Sequence, residues 1–286
     1  MVALCATAHA QISVKDDDGV AVTLQKPARR VIALAPHVTE LLFAAGGGEQ
    51  IVGVVSYSDY PEAAKRIAHV GDNRLVDIER LIALKPDLLV VWRHGSSERQ
   101  LEQLRQLGIP MFHSEPRKLD DIADSLLRLG QLLGTEPAAQ QAASALRAQL
   151  ANLAARYAQR SPVRTFYQVW DKPLYTLNGS HIVSDAIRLC GGVNVFASQR
   201  VTAPVVGVES VLQEDPEAIF GTSERSDASG GIAMWKAFPS VTAVRNNNLF
   251  RLDGNLLNRA GPRMIAGTSA LCEQLDIARQ HRKTPP

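Results

Sequence analysis

Short apolar runs separated by helix-length amphipathic stretches recur along this chain, and they recur in a fixed order. Arg30 to Leu34 (RVIAL) reads as a buried strand. Pro36 breaks it, and Thr39-Glu40 has the character of a helix N-terminus leading into Leu41-Leu42-Phe43. Gly46-Gly47-Gly48 stops that helix, and Ile51 to Val55 is the next strand. A glycine triplet invites reading as a phosphate loop. This one follows a helix instead of opening one, so it is read as a C-terminal cap.

The second half repeats the pattern. Thr165 to Val169 is a strand, and Ser184-Asp185 opens a helix that ends at Gly191-Gly192. From Thr39 to Gly46 and from Ser184 to Gly191 the residues share the register [ST]-[DE]-x-[LI]-x-x-x-G. A second pair is sharper. Glu79-Arg80-Leu81-Ile82 runs to Pro86-Asp87-Leu88-Leu89, and Glu209-Ser210-Val211-Leu212 runs to Pro216-Glu217-Ala218-Ile219. Each reads as a short helix, a proline turn and a buried strand (Leu88 to Trp92, Ala218 to Phe220). Two motifs repeated in one order imply two homologous lobes. Strands alternating with helices imply the α/β class: two Rossmann-like, three-layer lobes with mostly parallel sheets.

Between the halves, Glu136 to Gln159 is alanine-rich, lacks glycine, and has its one proline in the first turn, where proline is tolerated. Ala139, Ala142, Ala143, Leu146, Leu150, Leu153 and Tyr157 form one apolar stripe. Such a helix would run roughly 36 Å at 1.5 Å per residue. A stiff connection of this kind predicts a small opening motion, not a large hinge closure. The expected organisation is 1–10 as the remnant of a signal peptide, 11–135 as the N-terminal lobe, 136–160 as the linking helix and 161–286 as the C-terminal lobe.

Composition narrows the function. With 286 residues, 45% hydrophobic and 21% charged, the chain suits two ordinary domains. The net charge of +2 is spread along the sequence, with no basic run suited to nucleic acid or a membrane surface. No stretch approaches the roughly 20 apolar residues needed to cross a bilayer. Met1 to Ala10 is small and apolar and closes on Ala8-His9-Ala10, an A-x-A cleavage pattern, although a basic n-region and a longer apolar core are missing. It reads as the tail of a signal peptide, the alternative being a disordered start. Export would leave Cys190 and Cys272, in an oxidising compartment, to be read as one disulfide, with two buried free thiols as the alternative. Neither has the spacing of a zinc site.

No GxSxG elbow, P-loop, HExxH or dinucleotide fingerprint is present, so binding is favoured over turnover. His37 and His94 each follow a predicted strand on the edge where α/β folds hold ligands. Either could touch a bound metal complex, His37 foremost, against the plainer reading of polar loop residues. No other metal ligand is expected.

The segments RVIALAPHVTELLFAAG, VGVVSYSDYP and ALKPDLLVVWR, with the alanine-rich helix, resemble the class III solute-binding proteins, whose backbone is a rigid helix. That family delivers vitamin B12, haem and ferric siderophores to ABC importers, and the resemblance is strongest to its cobalamin binders. It spans roughly residues 28 to 276. Its most specific pieces are Tyr57-Ser58-Asp59-Tyr60-Pro61, Cys190-Gly191-Gly192 with Cys272, and Arg259-Ala260-Gly261-Pro262-Arg263.

The resemblance implies a periplasmic, non-enzymatic monomer that holds cobalamin, or a related corrinoid, in an inter-lobe cleft. It would deliver that ligand to an ABC permease dimer in the inner membrane. Tyr57 and Trp92 would wall the ring from one lobe, and Tyr175 from the other. The loop Asn255, Leu256, Leu257, Asn258, Arg259 would meet the corrin edge. Cys190 and Cys272 match a family disulfide. Glu79 and Glu209 match two permease-docking glutamates, although a helix N-terminal acid favoured by the dipole accounts for either one alone. A flat amphipathic disc does call for aromatic walls with a few polar anchors at its rim. Two tryptophans of the cobalamin binders are replaced here by Asn73 and Ala203, which enlarges the pocket. The alternatives are a haem or ferric-siderophore binder of the same fold, and an enzyme or chelatase on a similar scaffold.

Overall fold

The computed structural model describes residues 11–72, 75–222 and 231–282, so the expected signal-peptide remnant and Asn73 lie outside the described residues. The chain divides into two compact units, one of Met1–Pro116 with Ile122–Ala145 and one of Arg117–Asp121 with Leu146–Pro286.

In the first unit, β1 (Ile12–Lys15) and β2 (Ala21–Leu24) form an antiparallel hairpin. β3 (Val31–Ala33), β4 (Ile51–Val54), β5 (Leu88–Val91) and β6 (Met111–His113) make a parallel sheet in the order β4-β3-β5-β6. The accompanying helices are α1 (Pro36–Ala44), α2 (Ile78–Ala83), α3 (Glu98–Arg105) and most of α4 (Leu119–Leu133). The unit division falls inside α5 (Glu136–Tyr157), which matches the helix expected from Glu136. Of its predicted stripe, Ala139, Ala143, Leu146, Leu150 and Tyr157 are buried.

The second unit contains β7 (Val163–Gln168), β8 (Trp170–Asp171), β9 (Leu174–Tyr175), β10 (Gly192–Asn194), β11 (Ala218–Thr222) and β12 (Leu249–Leu252). β8 and β9 form an antiparallel hairpin, and the other four make a parallel sheet in the order β10-β7-β11-β12. Its helices are α6 (Ile182–Leu189), α7 (Val208–Glu214), α8 (Thr242–Arg245), α9 (Gly254–Leu257) and α10 (Met264–His281). In both sheets the first strand in sequence lies between the second and third, and the fourth is on the edge. The topology is the same twice over.

Both faces of each sheet are covered. Successive strand residues point to opposite faces, yet all four residues of β5 and the first four of β11 are buried. That is the signature of a parallel sheet sandwiched between helices. Leu81 of α2 and Leu104 of α3 pack with Ile32, Leu89 and Val91, while Val211 of α7 packs with Phe166, Ile219 and Trp235.

The repeated acid after each proline has a structural cause. The N–H of Asp87 donates to the Arg30 carbonyl, and its carboxylate accepts from the N–H groups of Arg29 and Arg30 at 2.9 and 3.0 Å. Glu217 does the same to Arg164, donating to its carbonyl at 2.8 Å and accepting its N–H at 2.9 Å. Arg30 and Arg164 in turn donate to the carbonyls of Leu84 and Glu214 at the ends of α2 and α7. Each acid thereby locks a helix end and two strand starts together. Lys85 and Asp215, just before the two prolines, both take positive φ (48° and 39°).

Two boundaries differ from the sequence reading. α1 starts at Pro36 and not at Thr39, because proline fits the first helical position, where its missing N–H is no loss. α6 likewise starts at Ile182, capped by His181. Thr39 and Ser184 are therefore buried helix residues, with hydroxyls donating to Ala35 and Asn178 carbonyls respectively. The glycine triplet is a C-cap as expected: Gly46 has φ +87° and donates to the Phe43 carbonyl.

Asp215 supplies a pH prediction. Burial pushes its carboxyl up, but the Thr242 N–H and hydroxyl (2.6 and 2.7 Å), helped by Arg245 and Arg164, outweigh this and hold it below the usual value. A depressed carboxyl stabilises the fold above the unfolded pKa, about 3.9, and the gain is lost as pH falls through the lower folded value. Asp215→Asn is expected to lower stability at pH 7 by about 0.5 kcal/mol, given the exposure of the site. Urea unfolding from pH 7 to pH 2.5 should show that gap closing below about pH 4.

Candidate functional site

Parallel α/β sheets bind ligands at the carboxyl ends of their strands, and the expected ligand residues fall there in each unit. In the first unit, His37 follows β3, Tyr57 follows β4 and Trp92 follows β5. Tyr57 is 76% exposed and has φ +67°. A bulky residue in the left-handed region costs roughly 1–2 kcal/mol, and such strain concentrates where function maintains it. Here the backbone is strained and the ring gains no burial from it.

Trp92 is half-buried and caps the turn Arg93–Gly95. Its ring lies against Gly95, where a Cβ would come within 2.0 Å of it. His37 meets it edge-on, with centroids 5.5 Å apart and planes at 89°. His37 itself is only 5% exposed. The structure therefore places it as a support for Trp92 and not as a side chain open to a ligand's metal.

In the second unit, Tyr175 is half-buried on β9 and pairs across the hairpin with Trp170, which is 42% exposed. The Trp170 indole N–H donates to the Lys172 carbonyl at 3.1 Å, fixing the ring at the turn. Sequence reasoning missed Trp170. Its signal was available: Trp-Asp-Lys-Pro-Leu-Tyr puts aromatics on both sides of a turn directly after a buried strand. Ala203 is exposed.

The loop after β12 divides into parts. Asp253 caps α9, accepting the Asn255 N–H at 2.8 Å. Asn255, Leu256 and Arg259 are half-buried and Asn258 is exposed. Asn258 accepts the Tyr167 hydroxyl at 2.9 Å and donates to Thr222 at 3.3 Å, which ties the loop to the ends of β7 and β11. Leu257 is fully buried and packs toward Gly267 of α10, so it belongs to the core.

Glu79 and Glu209 occupy the second position of α2 and α7, and both are exposed. The matched placement predicted from sequence is present in each unit. Cys190 and Cys272 form a disulfide between the end of α6 and α10. A cavity of about 640 Å³ within the first unit is lined by Ser56, His69, Gly71, Asp72, Leu75, Val76, Asp77 and Arg80.

A duplicated parallel α/β fold, with aromatic side chains at the carboxyl edge of both sheets, defines a solute-binding protein. The chain belongs to the periplasmic binding protein family, whose profile matches residues 31–256. It is 40% identical over 255 residues to the vitamin B12-binding protein of Vibrio cholerae serotype O1, covering 89% of this chain and 91% of that protein. The crystal structure of the periplasmic vitamin B12-binding protein of Vibrio cholerae matches with a TM-score of 0.82 at 40% identity, covering 88% of this chain and 98% of that one. The periplasmic haem-binding protein of Roseiflexus sp. RS-1, in apo form, matches with a TM-score of 0.76 at 25% identity, covering 88% and 99%. No helix among the described residues is long and apolar enough to cross a membrane.

Proposed function

We infer that this protein captures cobalamin, or a closely related corrinoid, in the periplasm and hands it to an ABC importer without chemically altering it. The observation that carries the reading is Tyr57, an exposed ring held on a strained backbone at the carboxyl edge of a parallel sheet. Trp92, Tyr175 and Trp170 supply further ring surface, and Asn255, Asn258 and Arg259 supply polar anchors for amide groups at a corrin rim. The 40% identity to a vitamin B12-binding protein over most of both chains supports the same ligand class.

The test is calorimetric titration of the ligand-stripped protein with cyanocobalamin, with cobinamide and haemin as parallel titrants. One cobalamin per chain is expected, with affinity falling at least about tenfold on Tyr57→Ala or Arg259→Ala. Tyr57→Gly separates the ring from its strain: it should weaken cobalamin binding similarly, while raising stability to urea by about 1 kcal/mol. Binding of haemin without cobalamin would transfer the reading to the haem binders of this fold. No change on replacing Tyr57 would remove it from the site.

A further inference from the structure

Away from the ligand residues, the β1–β2 turn carries three consecutive aspartates, Asp16-Asp17-Asp18, and two of them meet the end of β6. The Nδ1 atom of His113 lies 2.9 Å from Asp18 Oδ2 and 3.4 Å from Asp16 Oδ2. His113 is 8% exposed and Asp16 is 4% exposed. Despite the short distances, neither ring nitrogen of His113 forms a hydrogen bond. The carboxylate oxygens stand close to Nδ1 but off the direction along which a ring N–H donates.

Those distances have another meaning. Two donors each about 2.1 Å from one ion, at angles of 90° to 110°, stand roughly 2.9 to 3.4 Å apart. Each then lies off the other's lone-pair axis, as seen here. We propose that Asp16 Oδ2, Asp18 Oδ2 and His113 Nδ1 form a binding site for one divalent first-row cation of the zinc or manganese kind.

The remaining contacts orient the three donors. Asp16 Oδ1 accepts the backbone N–H groups of Asp18 and Val20 at 3.0 and 2.8 Å, while Oδ2 accepts the His113 backbone N–H at 3.3 Å with one lone pair and faces the His113 ring. Asp18 Oδ1 pairs with Arg93 at 3.1 Å, again leaving its Oδ2 for the site. Asp17 is directed elsewhere, accepting the Glu115 N–H and pairing with Arg128. Outer contacts of this sort fix the direction of metal ligands and sharpen affinity. One imidazole nitrogen with two carboxylate oxygens selects ions of intermediate softness, and the open positions would be filled by water. The bound ion would pin the β1–β2 hairpin to the edge strand of the first unit's sheet. The site involves none of the residues assigned to the corrinoid and stands apart from that reading.

The experiment uses untagged, chelator-treated full-length protein titrated separately with Zn²⁺ and Mn²⁺ by calorimetry. One ion per chain is expected, with micromolar or tighter affinity. His113→Ala or Asp18→Asn should weaken it by at least about 100-fold, and His69→Ala should leave it unchanged. Crystals of the unmutated protein soaked in the same ion should give an anomalous peak within about 2.3 Å of His113 Nδ1. That measurement decides the matter if the His113 variant fails to fold. No saturable uptake, unaltered uptake by the variants, or a peak at any other position overturns the proposal.

Discussion

The double reversal Glu79→Lys with Glu209→Lys is expected to abolish ligand uptake by cells while leaving the purified protein's affinity for cobalamin within about twofold of the parent. The two glutamates occupy the same helical position in units that share one topology, on α2 and α7, and both are exposed. A pair of like charges placed by internal duplication suits a two-fold symmetric partner. Docking of this kind depends on opposite charge on the permease, so reversal replaces attraction by repulsion at two points. The competing explanation is local: an acid in a helix's first turn gains roughly 0.3–1 kcal/mol from the dipole. Reversal would then cost about 1–2 kcal/mol of stability in total and leave transport unimpaired. Uptake of labelled cobalamin by cells lacking their own binding protein, run beside calorimetry on the purified variants, separates the two. Each single reversal should leave partial uptake. Lost binding would mark the residues as structural, and normal uptake would remove them from any docking role.

Much of the fold was legible because its determinants are local and repeated. Proline turns, glycine caps and apolar runs at matching spacing specify the strand–helix order, and the second copy checks the first. The boundary errors came from one ambiguity. Pro36 and the residues before Ser184 carry both stop and start signals, and only packing shows that Thr39 and Ser184 are inside their helices. Of the candidate site, the aromatic residues after strands were visible where they followed an expected strand end, as with Tyr57 and Trp92. Trp170 was missed although it directly follows the expected strand Thr165 to Val169, because strands of two residues on either side of a turn are too short to show an alternating pattern. Leu257 was counted with its loop since nothing in a five-residue segment shows which side chain turns inward. The strain at Tyr57 and the cluster of Asp16 and Asp18 with His113 had no sequence signal at all. One is a backbone angle, and the other joins residues more than 90 positions apart.

Cys190→Ala with Cys272→Ala should give the largest stability loss of any change considered. The bond closes a loop with a sequence separation of 82. In the chain-entropy description this constrains the unfolded state by about 4–5 kcal/mol. The folded state has other ties at the same place. Arg279 donates to the carbonyls of Cys190 and Gly191 at 2.7 and 3.1 Å, and to the Ser161 carbonyl at 2.8 Å. Cys190 and Cys272 are both fully buried, so alanine suits their surroundings better than serine, which would bury unpaired hydroxyls. Native geometry should therefore persist near room temperature, with cobalamin affinity little changed. The loss should appear on heating. Both cysteines lie in the second unit, so calorimetry should show that unit's transition falling by about 10–15 °C. The first unit's transition should stay within a few degrees of its original position. Reductant should reproduce the shift in the parent and do nothing to the double variant. A fall of less than about 3 °C would mean that the reduced, unfolded chain already keeps α6 and α10 together.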